Sequence, residues 1–160
     1  RECSGVLRSS ERFQLTAVGK MNTYALFAET FRILSSPIGY AGVILPTGIS
    51  TDDTTKIFFG DLVEKRSLSS IVGFENEAYI FPAVHHAFKF CVFNMTGTKR
   101  RIFEPDFVFF CRYYEHVRQP DRHFKLTSQE IALINPNTLT INSIQVASQQ
   151  MHCLTLPEIT

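Results

Sequence analysis

The earliest periodic stretch of the chain starts close to residue 22. Apolar residues then recur at the three- and four-residue spacing of a helix, at Tyr24, Phe27, Ala28, Phe31 and Leu34. Asn22 or Thr23 can cap this helix, and Pro37 and Gly39 can end it. Residues 1–20 show little periodicity, and we predict a loop for them.

A short apolar run without alternation, YAGVIL at residues 40–45, comes next. Such a run is typical of a strand buried on both faces, as in a parallel sheet flanked by helices. The turn at residues 46–48 ends this strand. Thr51 is then a suitable N-cap, and the two aspartates that follow it lie where the helix dipole favours negative charge. We therefore predict a second helix over residues 51–66.

The rest of the chain alternates short strands with polar turns. Strand-like runs occupy residues 70–74, 87–95 and 106–112, and helical patterns occupy residues 113–118 and 127–134. The initial order of helix, strand, helix and strand predicts an α/β sheet. The later strands are closely spaced, and a hairpin needs only about 2–5 connecting residues, so we expect an antiparallel edge.

Composition limits the class of protein more than its function. The chain is 44% hydrophobic and 19% charged, which fits one globular domain and excludes a disordered chain. The net charge of +1 neither requires nor excludes a nucleic-acid partner, because a basic groove can be local. No apolar run approaches the ~20 residues of a membrane span. Since the chain starts at Arg1 without a signal-peptide pattern, we expect a fragment of a cytoplasmic protein.

Cysteine and histidine patterns give little support to a metal site. None of the four cysteines belongs to a CxxC pair, and Cys91 and Cys111 lie inside apolar runs. We predict that the cysteines are reduced and structural, which suits a cytoplasmic protein. His85 and His86 are adjacent and would point to opposite faces of a strand, so we predict no bound metal.

Three features could carry chemistry, and each also has a plain structural interpretation. Glu75, Asn76 and Glu77 favour a solvated turn, although active sites also lie at strand ends. Residues 81–110 are rich in phenylalanine, which indicates core, but one or two rings at a rim could stack on a base. The basic turn at residues 99–101 is either solvated or a phosphate contact.

Three long strings in this order carry a family resemblance: VGKMNTYALFAETF, GYAGVILPTGISTDDTTKIFF and FENEAYIFPAVHHAFKFCVF. Together with DFVFF and ALINPNT, they resemble the latter half of the catalytic domain of adenine-specific (N6) DNA methyltransferases of type II-like restriction–modification systems. The likeness spans residues 13–138. The sequence after residue 138 departs from the family pattern.

The resemblance implies a partial Rossmann-like α/β methyltransferase sheet, comprising its later strands and an antiparallel edge. Residues 21–112 would be the C-terminal half of the catalytic domain, and residues 113–160 a helical or irregular extension. The S-adenosylmethionine site and the catalytic N-P-P-Y/F loop would both precede residue 1, so no catalytic or cofactor-binding residue is expected in this chain. Asn135-Pro136-Asn137-Thr138 lacks the second proline and the aromatic residue of that motif, and a turn is the better interpretation.

The family mechanism implies that the target adenine leaves the duplex, since N6 cannot be reached inside the base stack. On this resemblance Phe81 is the first candidate for the wall of the base pocket and Phe88 the second. Pro46 and Thr47 would lie at the crevice edge where open α/β sheets bind ligands. The candidate phosphate contacts are three consecutive basic residues, Lys99, Arg100 and Arg101.

Two functions follow as expectations. The first is a part of a DNA adenine-N6 methyltransferase that uses S-adenosylmethionine. Its partners would be double-stranded DNA and the missing N-terminal half, and the isolated chain would be inactive. The second is a non-catalytic α/β interaction module, or the remnant of a decayed gene. The first function predicts an exposed apolar sheet edge, and the second predicts stable folding alone.

Overall fold

A computed structural model of the chain describes residues 2–135, which form five α-helices, five strands and several single 3₁₀ turns. The helices are α1 (Glu2–Ser9), α2 (Thr23–Leu34), α3 (Gly48–Thr51), α4 (Lys56–Glu64) and α5 (Ser128–Ile134). The strands are β1 (Tyr40–Pro46), β2 (Leu68–Glu75), β3 (Lys89–Thr96), β4 (Asp106–Cys111) and β5 (Phe124–Lys125). No helix within the described residues has the length and hydropathy required to cross a bilayer.

All five strands belong to one mixed sheet with the spatial order β1-β3-β2-β4-β5. Strand β3 runs antiparallel to both of its neighbours, β1 and β2. Strands β2 and β4 are parallel, and β5 is a two-residue antiparallel addition at the far edge. The predicted α/β class with an antiparallel part of the sheet is confirmed.

The main core lies on one face of this sheet, where α2 and α4 pack. Phe58 and Phe59 of α4 are fully buried, and each ring centroid lies 6.4 Å from that of Phe93 on β3. Ala25 and Ala28 let α2 approach the same cluster. A smaller cluster that includes Val72, Phe74, Val108 and Cys111 covers the opposite face. Successive side chains of β2 and β3 point to opposite faces of the sheet and therefore contribute to two separate apolar layers.

The two cysteines that lie in strands behave as predicted. Cys91 and Cys111 are free and buried. Burial raises the pKa of the Cys91 thiol to about 12, and it also raises the pKa of Cys111. Neither side chain is therefore a thiolate near neutral pH, and their contribution is packing.

Three sequence-based predictions about helices and strands were wrong. Within residues 1–20, Glu2–Ser9 form the helix α1, which Arg8 supports as a basic residue in the last turn. The predicted helix over 51–66 is broken at Asp52, whose backbone is extended (φ −83°, ψ 143°). The Thr55 hydroxyl bridges this break by donating to the carbonyl of Gly48 at 2.7 Å.

The third wrong prediction is that residues 40–45 are buried on both faces. Within β1 only Leu45 is buried, and Tyr40 and Ile44 are more than half exposed. The physical reason is position, because β1 is an edge strand that pairs with β3 alone among the described residues. Its apolar composition fits an interior strand, yet no strand of the described part of the chain pairs with its second edge.

The C-terminal part of the described chain is held by side-chain hydrogen bonds. The side chain of Thr127 caps α5 and forms a reciprocal capping box with Glu130. His123 lies between two partners: its Nδ1 is 2.7 Å from a carboxylate oxygen of Asp106, and its Nε2 is 2.8 Å from the carbonyl of Val117. These bonds fasten the segment before β5 to the start of β4.

The His123 contacts predict a pH-dependent stability. The Val117 carbonyl and then the Asp106 carboxylate raise the pKa of His123, although partial burial lowers it. A raised folded-state pKa stabilises the protein below the ordinary histidine value of about 6.5, and the effect is lost as the pH rises through the raised value. Urea unfolding should therefore show a larger deficit of His123→Gln against wild type at pH 5.5 than at pH 8.5. An equal deficit at both values would contradict this role.

Candidate functional site

The carboxyl ends of β1 and β2 meet the start of β3 at one end of the sheet and enclose a small crevice. We call it the carboxyl-end crevice; its volume is about 50 Å³, and it is lined by Thr47, Ser50, Thr51, Ile71, Gly73, Phe74, Glu75, Lys89, Phe109 and Phe110. Open α/β sheets bind ligands at such strand ends. The position follows from topology, since β2 and β4 are parallel and β3 returns antiparallel between β1 and β2.

A charged group closes one side of the crevice. The Glu75 side chain is only 15% exposed, and its two oxygens each lie 3.2 Å from a cation, one from Lys89 Nζ and the other from Arg112 Nε. Arg112 also contacts Glu77 at 2.9 Å. Burial raises the pKa of Glu75, but the hydrogen bonds and charges of Lys89 and Arg112 outweigh it and hold the pKa below its usual range. Glu75 is therefore ionised and held in place.

An irregularity in β4 turns two aromatic rings towards this crevice. The pairing of β2 with β4 shifts register between Val72 and Phe74, and Phe110 has a left-handed backbone with φ +58°. A left-handed conformation costs roughly 1–2 kcal/mol for a residue with a Cβ. Gly73 makes room, because a Cβ there would lie 2.8 Å from Cδ1 of Phe109. Such a bulge re-aims side chains, and backbone strain of this kind clusters at functional sites.

Asn76 organises the loop that connects β2 to β3. Its side chain is completely buried. The amide nitrogen donates to the carbonyls of Phe81 (3.0 Å) and Val84 (2.8 Å), and the amide oxygen accepts from the Phe81 backbone N–H (2.9 Å). The Asn76 backbone N–H donates to Phe88 (3.1 Å). One residue thus ties both the middle and the end of this loop to β2.

Phe81 lies at the rim of this end of the sheet but outside the crevice lining. Its ring is 38% exposed and meets the Phe90 ring edge-on at 4.9 Å. Phe90 in turn stacks on Phe74 at 5.1 Å. Since Phe90 and Phe74 belong to the smaller apolar layer, Phe81 packs on the opposite face from Ile71 and Phe109. Phe88 is 64% exposed.

Of the four predicted base-pocket residues, the structure brings only Thr47 into the crevice lining. Pro46 immediately precedes it and pairs with Phe90 across β1 and β3. Phe81 and Phe88 are at the same end of the sheet, on the connecting loop. The four residues therefore share one end of the molecule but not one cavity.

The basic turn lies at the other end of the sheet. It follows β3, whose eight residues span about 24 Å at ~3.4 Å per residue, so the turn cannot flank a base held near Phe81. Arg100 is occupied, since it donates to the Ile38 carbonyl and the Tyr40 hydroxyl, both at 2.9 Å. Arg101 donates to the Lys65 carbonyl. The structure therefore separates the predicted phosphate contacts from the predicted base pocket.

Sequence reasoning missed the buried role of Asn76. Residues 75–77 indicated a solvated turn, and that interpretation was wrong for Asn76, which is fully buried. An asparagine directly after a strand is the one available signal, because its side chain readily bonds to nearby backbone. No sequence signal placed Phe109 and Phe110 in the crevice lining, because their orientation depends on the register shift between β2 and β4.

The described residues contain no cluster of metal-ligating side chains, and several of their glycines are closely packed. Within residues 2–135, no group of three or more histidine, cysteine or acidic side chains could hold a metal ion. A cradle for S-adenosylmethionine requires open space beside backbone. Gly42, Gly48 and Gly97 do not provide it, since a Cβ at each would lie within 3 Å of other atoms of this chain. These three glycines therefore leave no room for a cofactor beside their backbone.

Comparisons with known proteins identify the fold and no family. No family model matches the sequence, and no curated protein matches it. A chain of a type I restriction–modification (R-M) system is similar in structure, with a TM-score of 0.59 and 11% identity, over 86% of this chain and 37% of that chain. The type IIG restriction endonuclease BpuSI is also similar, with a TM-score of 0.63 and 19% identity, over 96% of this chain and 20% of its own. The chain therefore has the fold of a segment of each protein and spans well under half of either.

Proposed function

We propose that this chain is part of a restriction–modification enzyme, namely an adenine-N6 DNA methyltransferase that uses S-adenosylmethionine. The observation that carries the proposal is the sheet itself, in which β3 is inserted antiparallel between β1 and β2 and the adjoining strand ends form a crevice. The fold likeness to two proteins of R-M systems supports it. The sequence resemblance over residues 13–138 is the reason for proposing methyl transfer as the reaction.

In this proposal the chain supplies one wall of a pocket for an adenine extruded from the duplex. Phe81 is fixed through its backbone to Asn76, yet its ring remains partly exposed, as stacking on a base requires. Phe88, Pro46 and Thr47 lie at the same end of the sheet and would border the base. These groups bind and orient the base and exclude water from it; they transfer no proton.

The cofactor and the catalytic loop belong, in this proposal, to a further part of the sheet next to β1. Within residues 2–135 no strand pairs with the outer edge of β1, and exposed apolar side chains on α2 and β1 lie beside it: Phe27, Phe31, Leu34, Tyr40 and Ile44. An open strand edge with apolar neighbours favours docking of another strand and helix. S-adenosylmethionine, when bound there, would supply the methyl group.

If the cofactor site lies in another segment, the 160-residue chain alone should not transfer methyl groups. Transfer of labelled methyl groups to duplex DNA should require a partner segment that carries the cofactor site, and Ile44→Lys should weaken that assembly. The matched control is Val6→Lys, a similarly exposed apolar site on α1. Robust turnover by the isolated chain would end the proposal.

Phe81 gives a direct test of the base wall. Stacking on an aromatic ring is worth about 1–3 kcal/mol, so Phe81→Ala should lower kcat/KM of the assembled enzyme roughly 5- to 150-fold. The change should leave cofactor affinity unaltered. Phe103→Ala is the control, because Phe103 is also exposed but stacks on Arg66 elsewhere in the chain. Equal activities for the two variants would remove Phe81 from the site.

Asn76 should act as a positioning residue for the same loop. Asn76→Asp keeps the shape but removes the two N–H donors that hold the carbonyls of Phe81 and Val84. Hydrogen exchange of residues 77–88 should become faster, while amides in the centre of β3 keep their protection. Unchanged exchange in the loop would show that other contacts define its conformation.

A further inference from the structure

A second cavity lies at the opposite end of the sheet from the carboxyl-end crevice. Its volume is about 270 Å³, and it is lined by Arg32, Lys65, Ser67, Thr96, Thr98 and Arg101. We call it the basic pocket. Its walls come from separate parts of the chain: the last turn of α2, the segment between α4 and β2, and the turn that follows β3. Long-range folding, rather than one local turn, therefore builds it.

The basic pocket carries an excess of positive charge in a nearly neutral protein. Three cations line it, and one carboxylate, that of Asp61, faces them at 2.5 Å from Arg32 and 2.6 Å from Lys65. Three positive groups against one negative group leave two positive charges uncompensated. Burial raises the pKa of Asp61, but the bonds and charges of Lys65 and Arg32 outweigh it and lower the pKa. The carboxylate is thus ionised and already engaged.

Two of the cations share the Asp61 carboxylate, and the third, Arg101, has N–H donors that this carboxylate does not use. Arg32 is fixed by Asp61 and is largely buried. Within residues 2–135, the Arg101 guanidinium makes a single hydrogen bond, to the Lys65 carbonyl, out of five possible N–H donors. Its remaining donors are available to a ligand. Two guanidinium groups and one ammonium group around a cavity of this size are suited to an oxyanion with several acceptor oxygens.

We propose that the basic pocket binds a phosphate group, carried either by a DNA backbone or by a small phosphorylated molecule. A tetrahedral phosphate can accept from donors on different sides, whereas a planar carboxylate is matched by one guanidinium. The volume also leaves room for a group attached to the phosphate. The proposal goes beyond methyl transfer, because the basic pocket and the crevice lie about 24 Å apart along β3.

The test measures the binding of two probes to the full chain: inorganic pyrophosphate by calorimetry and a short DNA duplex by fluorescence anisotropy. The variant is the double substitution Lys65→Gln and Arg101→Gln, which spares the Arg32–Asp61 pair. The control for loss of a surface charge is Lys56→Gln, which removes one cation whose ion pair, within residues 2–135, is with the exposed Asp53. Thermal unfolding of each variant verifies the fold.

Wild type and Lys56→Gln should bind at least one probe saturably, and the double variant should bind it roughly 10-fold or more weakly, because it loses charge-assisted hydrogen bonds. Weaker DNA binding by the double variant assigns the pocket to a DNA backbone. The slope of log affinity against log salt concentration should then be shallower, by the amount expected for the loss of about two phosphate contacts. A loss for pyrophosphate alone assigns it to a small phosphorylated ligand. Binding of neither probe by wild type, or equal affinity in wild type and double variant, would overturn the proposal.

Discussion

The antiparallel insertion of β3 between β1 and β2 is the constraint on which the rest of the structure depends. Because β3 runs opposite to both neighbours, its first residue returns to the ends of β1 and β2, and its last residue leads to the other end of the sheet. Lys89 thereby joins the carboxyl-end crevice, while Thr96 joins the basic pocket. One strand direction therefore separates two chemically different surfaces.

The two surfaces differ in how their charges are arranged. In the crevice, the carboxylate of Glu75 is shared between two cations, and aromatic rings complete the lining. In the basic pocket, the carboxylate of Asp61 is also shared between two cations, but Arg101 adds a further positive charge. The chain's net charge of +1 conceals this difference entirely. The net charge of the chain is therefore a poor guide to the charge at either surface.

Much of the fold was predictable from the pattern of apolar residues, since α2, α5 and most strands coincide with their predicted segments. The prediction failed where tertiary context decides. The apolar run of β1 suggested an interior strand, but the described partners lie on one side only. Residues 51–66 have helical periodicity, yet the Thr55 hydroxyl stabilises a break near Asp52. Asn76 is polar and was therefore expected to be exposed, but it is buried. The register shift beside Phe110 has no signal in the local sequence.

The attachment of the β2–β3 connection through Asn76 has an evolutionary consequence. Asn76 holds residues 77–88 through hydrogen bonds to main-chain atoms of that segment. These main-chain atoms are present whatever side chains the segment carries. Its outward-facing residues can therefore be exchanged as a unit while the strands beneath keep their register. An ancestral protein with this anchor could acquire new surface chemistry at that tip by simple substitution, without rebuilding its scaffold.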